Sequence, residues 1–314
     1  MVKAEKIPLD QAWKGWIECL KGDDINSIFQ QITLMIWDTA IFRLIIESRQ
    51  IQIDKHPNEP AINRALHSFI DRNHFQSQVS NIRRLVDKSY RLTGPKAVYS
   101  IYSLISDICD RRNELTREAF FRLRNMSYDF AAIQDREREF IRQQSVRKGF
   151  VLVPPELDWE SIAETHQTFD RLSSKTQKDR QPNDAIPERV FARLKDRLDA
   201  CQHITNYIDK FVAHSATPES RATLNVGEST ITLKQLWEAH RIIFEVAEFL
   251  SIILFSEGHM ALAIENPSFF QYWETPLLEE IDVSRIRNTF EKYRKGTEKW
   301  DQDGIDNIWK WIEI

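Results

Sequence analysis

Six polar side chains between Asp196 and His214 recur every three or four residues: Asp196, Asp199, His203, Tyr207, Lys210 and His214. On an α-helix that spacing makes each one the neighbour of the next, so they form a single ridge. An imidazole titrating near neutrality can take or give a proton without a metal. A fixed cation beside it can steady the charge that builds on a pentacoordinate phosphate. Together these groups suit metal-independent RNA cleavage, in which a ribose 2′-OH attacks its own phosphodiester. The same residues have a plainer use. Lys210 and His214, one turn apart, can hydrogen-bond the last carbonyls of their helix or offset its dipole.

The ridge needs a helix, and the sequence provides one. Pro187 suits a first turn, and the pattern then runs from Ile186 to about His214. Phe191, Leu194, Leu198, Cys201, Ile204, Ile208 and Phe211 fall on the opposite, core-facing side. Other stretches are also helical. In Ser27–Ser48, Ile28, Ile32, Met35 and Phe42 share one side, widened by Leu34, Ile41, Leu44 and Ile45. A short basic helix is expected over Ser80–Leu92, ending at Gly94-Pro95, and another follows with Val98, Tyr102, Ile105 and Cys109 as its stripe. Asp158 and Thr232 sit where N-caps belong. The polar stretch around 171–185 reads as a mobile loop, and "TLNVGESTI" as a small hairpin around Gly227. The tail is rich in tryptophan, with Trp273, Trp300, Trp309 and Trp311. Trp309 and Trp311 cannot share a helix face, so the tail is expected to dock on the body or on a second copy. The division expected is a helical domain over 1–260 and a C-terminal helical extension over 261–314.

Composition narrows the classes. Only 8 glycines in 314 residues favour long helices over strand-and-turn architectures. The net charge of −4 gives no global attraction to nucleic acid or acidic lipid, so any anion site is local. One region is basic: residues 111–150 carry 10 Lys/Arg against 6 Asp/Glu. It reads either as a solvated helix pair or as an RNA-facing surface. Cys19, Cys109 and Cys201 lie far apart on apolar faces, as buried thiols of a reducing compartment do. With no apolar leader and no uncharged membrane-length run, the chain reads as soluble and cytoplasmic, with no membrane partner. No phosphate-binding Gly-rich loop, dinucleotide fingerprint, zinc-peptidase HExxH or GxSxG elbow is present. His67 and His74, seven apart, lack a third ligand, so no metal and no cofactor is expected. His240-Arg241 either faces the cleft of His214 or serves a neighbouring helix end.

"NYIDKFVAHS", after a long helix and before a charged connector, resembles the HEPN superfamily. More narrowly it is similar to the abortive-infection-type branch found in bacterial defence and toxin–antitoxin loci. "SNIRRLVDK", "YSIYSLISDI" and "LWEAHRIIFEVAEFL" fit the same branch, and the similarity spans Ser27 to Phe255. The resemblance implies an all-α, HEPN-like helical bundle that forms homodimers. It also implies a metal-independent ribonuclease site with the signature Arg, four to six residues, then His. His214 matches the histidine and Asp209 the polar position beside the arginine. The arginine slot fails, because the permitted spacings fall on Asp209, Ile208 and Tyr207. Three explanations follow. Lys210 substitutes for the missing guanidinium; or Arg83 or Arg84 is folded in from elsewhere, although Arg84 has a competing use as an ion pair with Asp87; or the chain is a catalytically silent interaction module. The expected catalytic set is His214, Lys210 and Asp209, with Arg83, Arg84, Tyr207 and His203 facing RNA. RNA, a second copy and a protein from the same locus are the implied partners.

Overall fold

The computed structural model describes residues 7–57, 64–89, 91–94, 97–144, 154, 158–212, 216–223, 230–258, 262, 270–271 and 283–313. The fold is all-α: the described residues contain twelve α-helices and no strand. They are α1 (Leu9–Lys21), α2 (Ile28–Lys55), α3 (Arg64–Leu85), α4 (Ile101–Asp110), α5 (Arg117–Leu123) and α6 (Phe130–Gln144), followed by α7 (Trp159–Ser173), α8 (Glu188–Asp199), α9 (Gln202–Phe211), the single turn α10 (Pro218–Arg221), α11 (Leu233–Glu248) and α12 (Val283–Glu313). A π-helical segment, Phe249–Phe255, continues α11.

The chain forms two compact units. One comprises residues 1–16 and 105–193, the other residues 17–104 and 194–314. This division differs from a boundary at residue 260, because α12 belongs to the second unit. There α12 packs along α11 and α2, and so docks on its own chain. Trp300 and Trp309 are buried while Trp311 is half-buried. Trp309 meets Phe249 edge-on at 5.1 Å, and Trp273 lies outside the described residues.

In the second unit α2, α3 and α12 surround α11, and α9 packs on α3. α2 outruns its expected end by seven residues, reaching Lys55. Ile28, Ile32, Met35, Phe42 and Leu44 are buried as the periodicity requires, but Leu34 and Ile41 remain exposed. The stripe is narrower than expected because it meets a single layer of helices. Among the described residues α2 is the one helix long and apolar enough to cross a membrane, and 56% of its most apolar window is buried inside the unit. α3 absorbs the short basic helix expected near Ser80 and begins sixteen residues earlier. α11 starts with a reciprocal cap. Thr232 Oγ1 accepts from Gln235 N–H at 3.2 Å, and Gln235 Oε1 accepts from Thr232 N–H at 2.8 Å. Thr232→Ala should cost about 1 kcal/mol, measurable as a lower urea midpoint with an unchanged slope.

In the first unit α6 packs on α7. Asp158 caps α7 through Ser161 N–H at 3.1 Å. The 171–185 stretch completes α7, adds a 3-10 turn at Gln177–Asp179 and closes with a bridge between Thr116 and Ala185. Its anchor is Arg117, which is fully buried and ion-paired with Asp170 at 2.8 Å and Asp184 at 3.0 Å. The basic region is largely neutralised locally. Arg111 pairs with Glu114, Arg112 with Glu188, Arg138 with Asp135 and Arg142 with Glu139. That pattern fits the solvated-pair reading better than an open cationic face. The hairpin expected around Gly227 lies outside the described residues.

Candidate functional site

The helix expected to carry the polar ridge is two helices. α8 stops at Asp199 and α9 starts at Gln202, and between them Cys201 N–H bonds the carbonyl three residues back, on Leu198, at 2.9 Å. Side chains help close this tight turn. A ring nitrogen of His203 bonds the Ala200 carbonyl at 3.0 Å, and the Thr205 hydroxyl bonds that of Gln202 at 2.8 Å. The apolar stripe is unaffected: Phe191, Leu194, Leu198, Cys201, Ile204 and Ile208 are all buried. Phe211, at the helix end, is exposed. The ridge is thus divided, with Asp196 and Asp199 on α8 and His203, Tyr207 and Lys210 on α9. His214 lies outside the described residues.

Several ridge members have structural roles. Asp199 pairs with Lys88 at 2.7 Å. Tyr207 stacks on Phe211 at 4.8 Å and meets Phe75 of α3 edge-on at 5.7 Å, so its ring packs against α3. Burial raises the pKa of its phenol. Lys210 Nζ donates to Ser220 Oγ at 2.7 Å, tying α9 to α10. Arg221 lies over the Phe211 ring at 5.8 Å.

The arginine missing from the local pattern comes from another helix. Arg83, in the last turn of α3, donates from Nε to Asp209 Oδ1 at 2.8 Å, across 126 residues of sequence. Its other contact is with Asp87 at 4.0 Å. The ion pair expected between Arg84 and Asp87 therefore belongs to Arg83, one residue earlier. Arg84 instead bonds the Asn81 side chain. Arg83 stands between two shallow grooves. One, of about 140 Å³, is shared with Lys88, Gln202, Thr205 and Asp209. The other, of about 500 Å³, is shared with Arg84, Asp24, Gln31 and Tyr99. The structure thus brings Arg83 and Asp209 together, sets Lys210 one position along α9, and turns Tyr207 and His203 inward.

His240 belongs to neither of the settings expected for it. It is buried, and neither ring nitrogen has a hydrogen-bond partner, so it serves no helix end. It lines a separate cavity with Arg43 and His74 rather than the groove by α9. Burial pushes its pKa down to about 3, helped by His74 and Arg43. Burial also pushes His74 down to about 4, against the opposing charge of Asp71. His67 and His166 shift the same way for the same leading reason. An unfolded imidazole titrates near pH 6.5. Above that pH both states hold neutral rings. Below it the unfolded chain binds protons that the folded one refuses, so stability falls as pH falls. The limiting slope for His240 is about 1.4 kcal/mol per pH unit. Urea titrations should therefore give less stability at pH 5 than at pH 7, and His240→Leu should flatten that difference. Equal slopes in the two proteins would count against the assignment.

The three free cysteines are buried, and burial pushes the Cys201 thiol up to about 12. Among the described residues no cluster of three or more His, Cys, Asp or Glu could hold a metal. The chain matches no protein-family model, no curated protein and no solved structure.

Proposed function

We propose that the chain acts on RNA as a metal-independent endoribonuclease of the HEPN type, with Arg83 supplying the guanidinium that its local signature lacks. The observation that supports this reading is the Arg83–Asp209 contact. It sets a guanidinium beside the polar position that the signature expects next to its arginine. Nε alone is committed to Asp209, while a guanidinium carries five N–H donors in a planar fork. The Arg83 side chain is 37% exposed, which leaves donors open to a phosphate. In this reading Arg83 binds the phosphodiester, Asp209 orients Arg83, Lys210 adds positive charge and His214 acts as the acid or base. The working form is a cytoplasmic homodimer within a bacterial defence or toxin–antitoxin locus, cleaving at the dimer cleft.

One observation favours a second reading, a catalytically silent HEPN-like module that binds a partner protein of its locus. The cations around the groove are already engaged within the chain: Arg83 with Asp209, Lys88 with Asp199, and Lys210 with Ser220. The experiment is incubation of total RNA in EDTA with wild type and with His214→Ala. Cleavage by the first and not the second supports the nuclease. Equal activity in both eliminates it, and no cleavage by either, with a stable locus complex on pull-down, supports the silent module.

A further inference from the structure

The largest described cavity lies away from Arg83, in the middle of the second unit. Its volume is about 660 Å³, within the range of small-molecule sites. Four helices build it: α2 contributes Arg43, α3 His74, α11 His240 and Trp237, and α12 Tyr293.

The wall is aromatic and held in place. Trp237 and Tyr293 meet edge-on at 5.2 Å. The Tyr293 hydroxyl donates to the Ile36 carbonyl at 3.0 Å, which fixes that ring. Gly296 lets α12 come close here, since a Cβ at that position would stand 3.2 Å from the Trp237 ring. The Arg43 guanidinium sits 5.0 Å from the centroids of both rings. It is half-buried, and no carboxylate of the described residues pairs with it. Glu47, one turn along α2, is engaged by Arg285. An arginine held by two π faces without a counter-charge is a receptor for an anion. Lys234 and Lys292 add exposed positive charge at the rim. His240 is 1% exposed with both ring nitrogens unpartnered. Leaving a buried polar group unpaired is costly, and a ligand in the cavity would supply the partner. His74 stacks on Phe42 at 3.9 Å and leaves Nε2 open.

We infer that this cavity is a binding site for a flat aromatic molecule that carries an anionic group. The rings of Trp237 and Tyr293 take its body, Arg43 with Lys234 and Lys292 its charge, and the two neutral imidazoles its hydrogen-bonding edge. The inference does not depend on the ribonuclease reading, because no residue of α9 lines the cavity.

The test is a fluorescence titration of the full chain with 8-anilinonaphthalene-1-sulfonate and with its uncharged analogue N-phenyl-1-naphthylamine. One saturable site is expected for each probe. The double variant Lys234→Glu/Lys292→Glu changes only exposed side chains. It should weaken the sulfonate at least 10-fold and leave the uncharged probe unchanged, while Arg43→Met should weaken the sulfonate further. Adenosine monophosphate and 1-naphthoate then compete for the bound probe, and whichever displaces it identifies the head group as phosphate or carboxylate. Non-saturating binding, equal response of both probes to charge reversal, or displacement by neither competitor at millimolar concentration would overturn the inference.

Discussion

Replacing Arg117 with alanine should cost about 3–5 kcal/mol of stability, the range for stranding one member of a buried ion pair. The guanidinium is wholly enclosed. It bonds Asp184 from Nε at 3.2 Å and from a terminal nitrogen at 3.0 Å, the His166 carbonyl at 3.2 Å, and Asp170 at 2.8 Å. The Phe169 ring lies 4.7 Å beneath it. The two acids fare differently once it is gone. Asp170 keeps Arg180, at 2.7 Å. Asp184 keeps only the Gln181 N–H, at 3.0 Å, with its side chain 5% exposed. The loss should therefore fall chiefly on Asp184. Arg117→Ala/Asp184→Asn should recover part of the stability lost by the single variant, which a double-mutant cycle in urea would measure. Strict additivity would mean that the two residues do not act together.

On the proposed nuclease reading, Arg83→Ala should lower the rate of RNA cleavage about 10²–10³-fold, the cost of removing one donor from a developing anion. Arg83→Lys should restore little, because an ammonium cannot hold Asp209 and bridge a phosphate with one rigid fork. Folding is not expected to suffer comparably. The Arg83 and Asp209 side chains are 37% and 44% exposed, and partly exposed pairs contribute little to stability. Single-turnover cleavage in EDTA, with a melting curve for each variant, separates the two effects. A fall in cleavage that merely tracks a fall in melting temperature would remove Arg83 from the site.

The helical class was legible because scarce glycine and wide apolar stripes leave few alternatives. Capping was legible too, since the signals at Asp158 and Thr232 lie within three residues of the groups they satisfy. The break at Ala200–Cys201 was not. Leu198, Cys201 and Ile204 are all buried, so the apolar pattern stays in phase across a turn that the backbone does not continue as α-helix. Arg83 could be named as a candidate, but not its partner, because nothing local ties residue 83 to residue 209. The aromatic cavity left no trace in the sequence. Its walls come from four helices, and neither His74 nor His240 has a neighbour at an informative spacing.

The π-helical stretch after α11 has a consequence for how the chain tolerates change in length. Phe249, Leu250, Ser251, Leu254 and Phe255 are all buried there, more than one face of a regular helix would enclose, because the wider winding turns adjacent positions inward together. Deleting any one of these seven residues would let the coil tighten to ordinary pitch and rotate everything beyond it out of register with Trp309. A conservative swap at the same position would leave the winding intact. In this stretch residue number, more than residue identity, governs how α11 and α12 fit together.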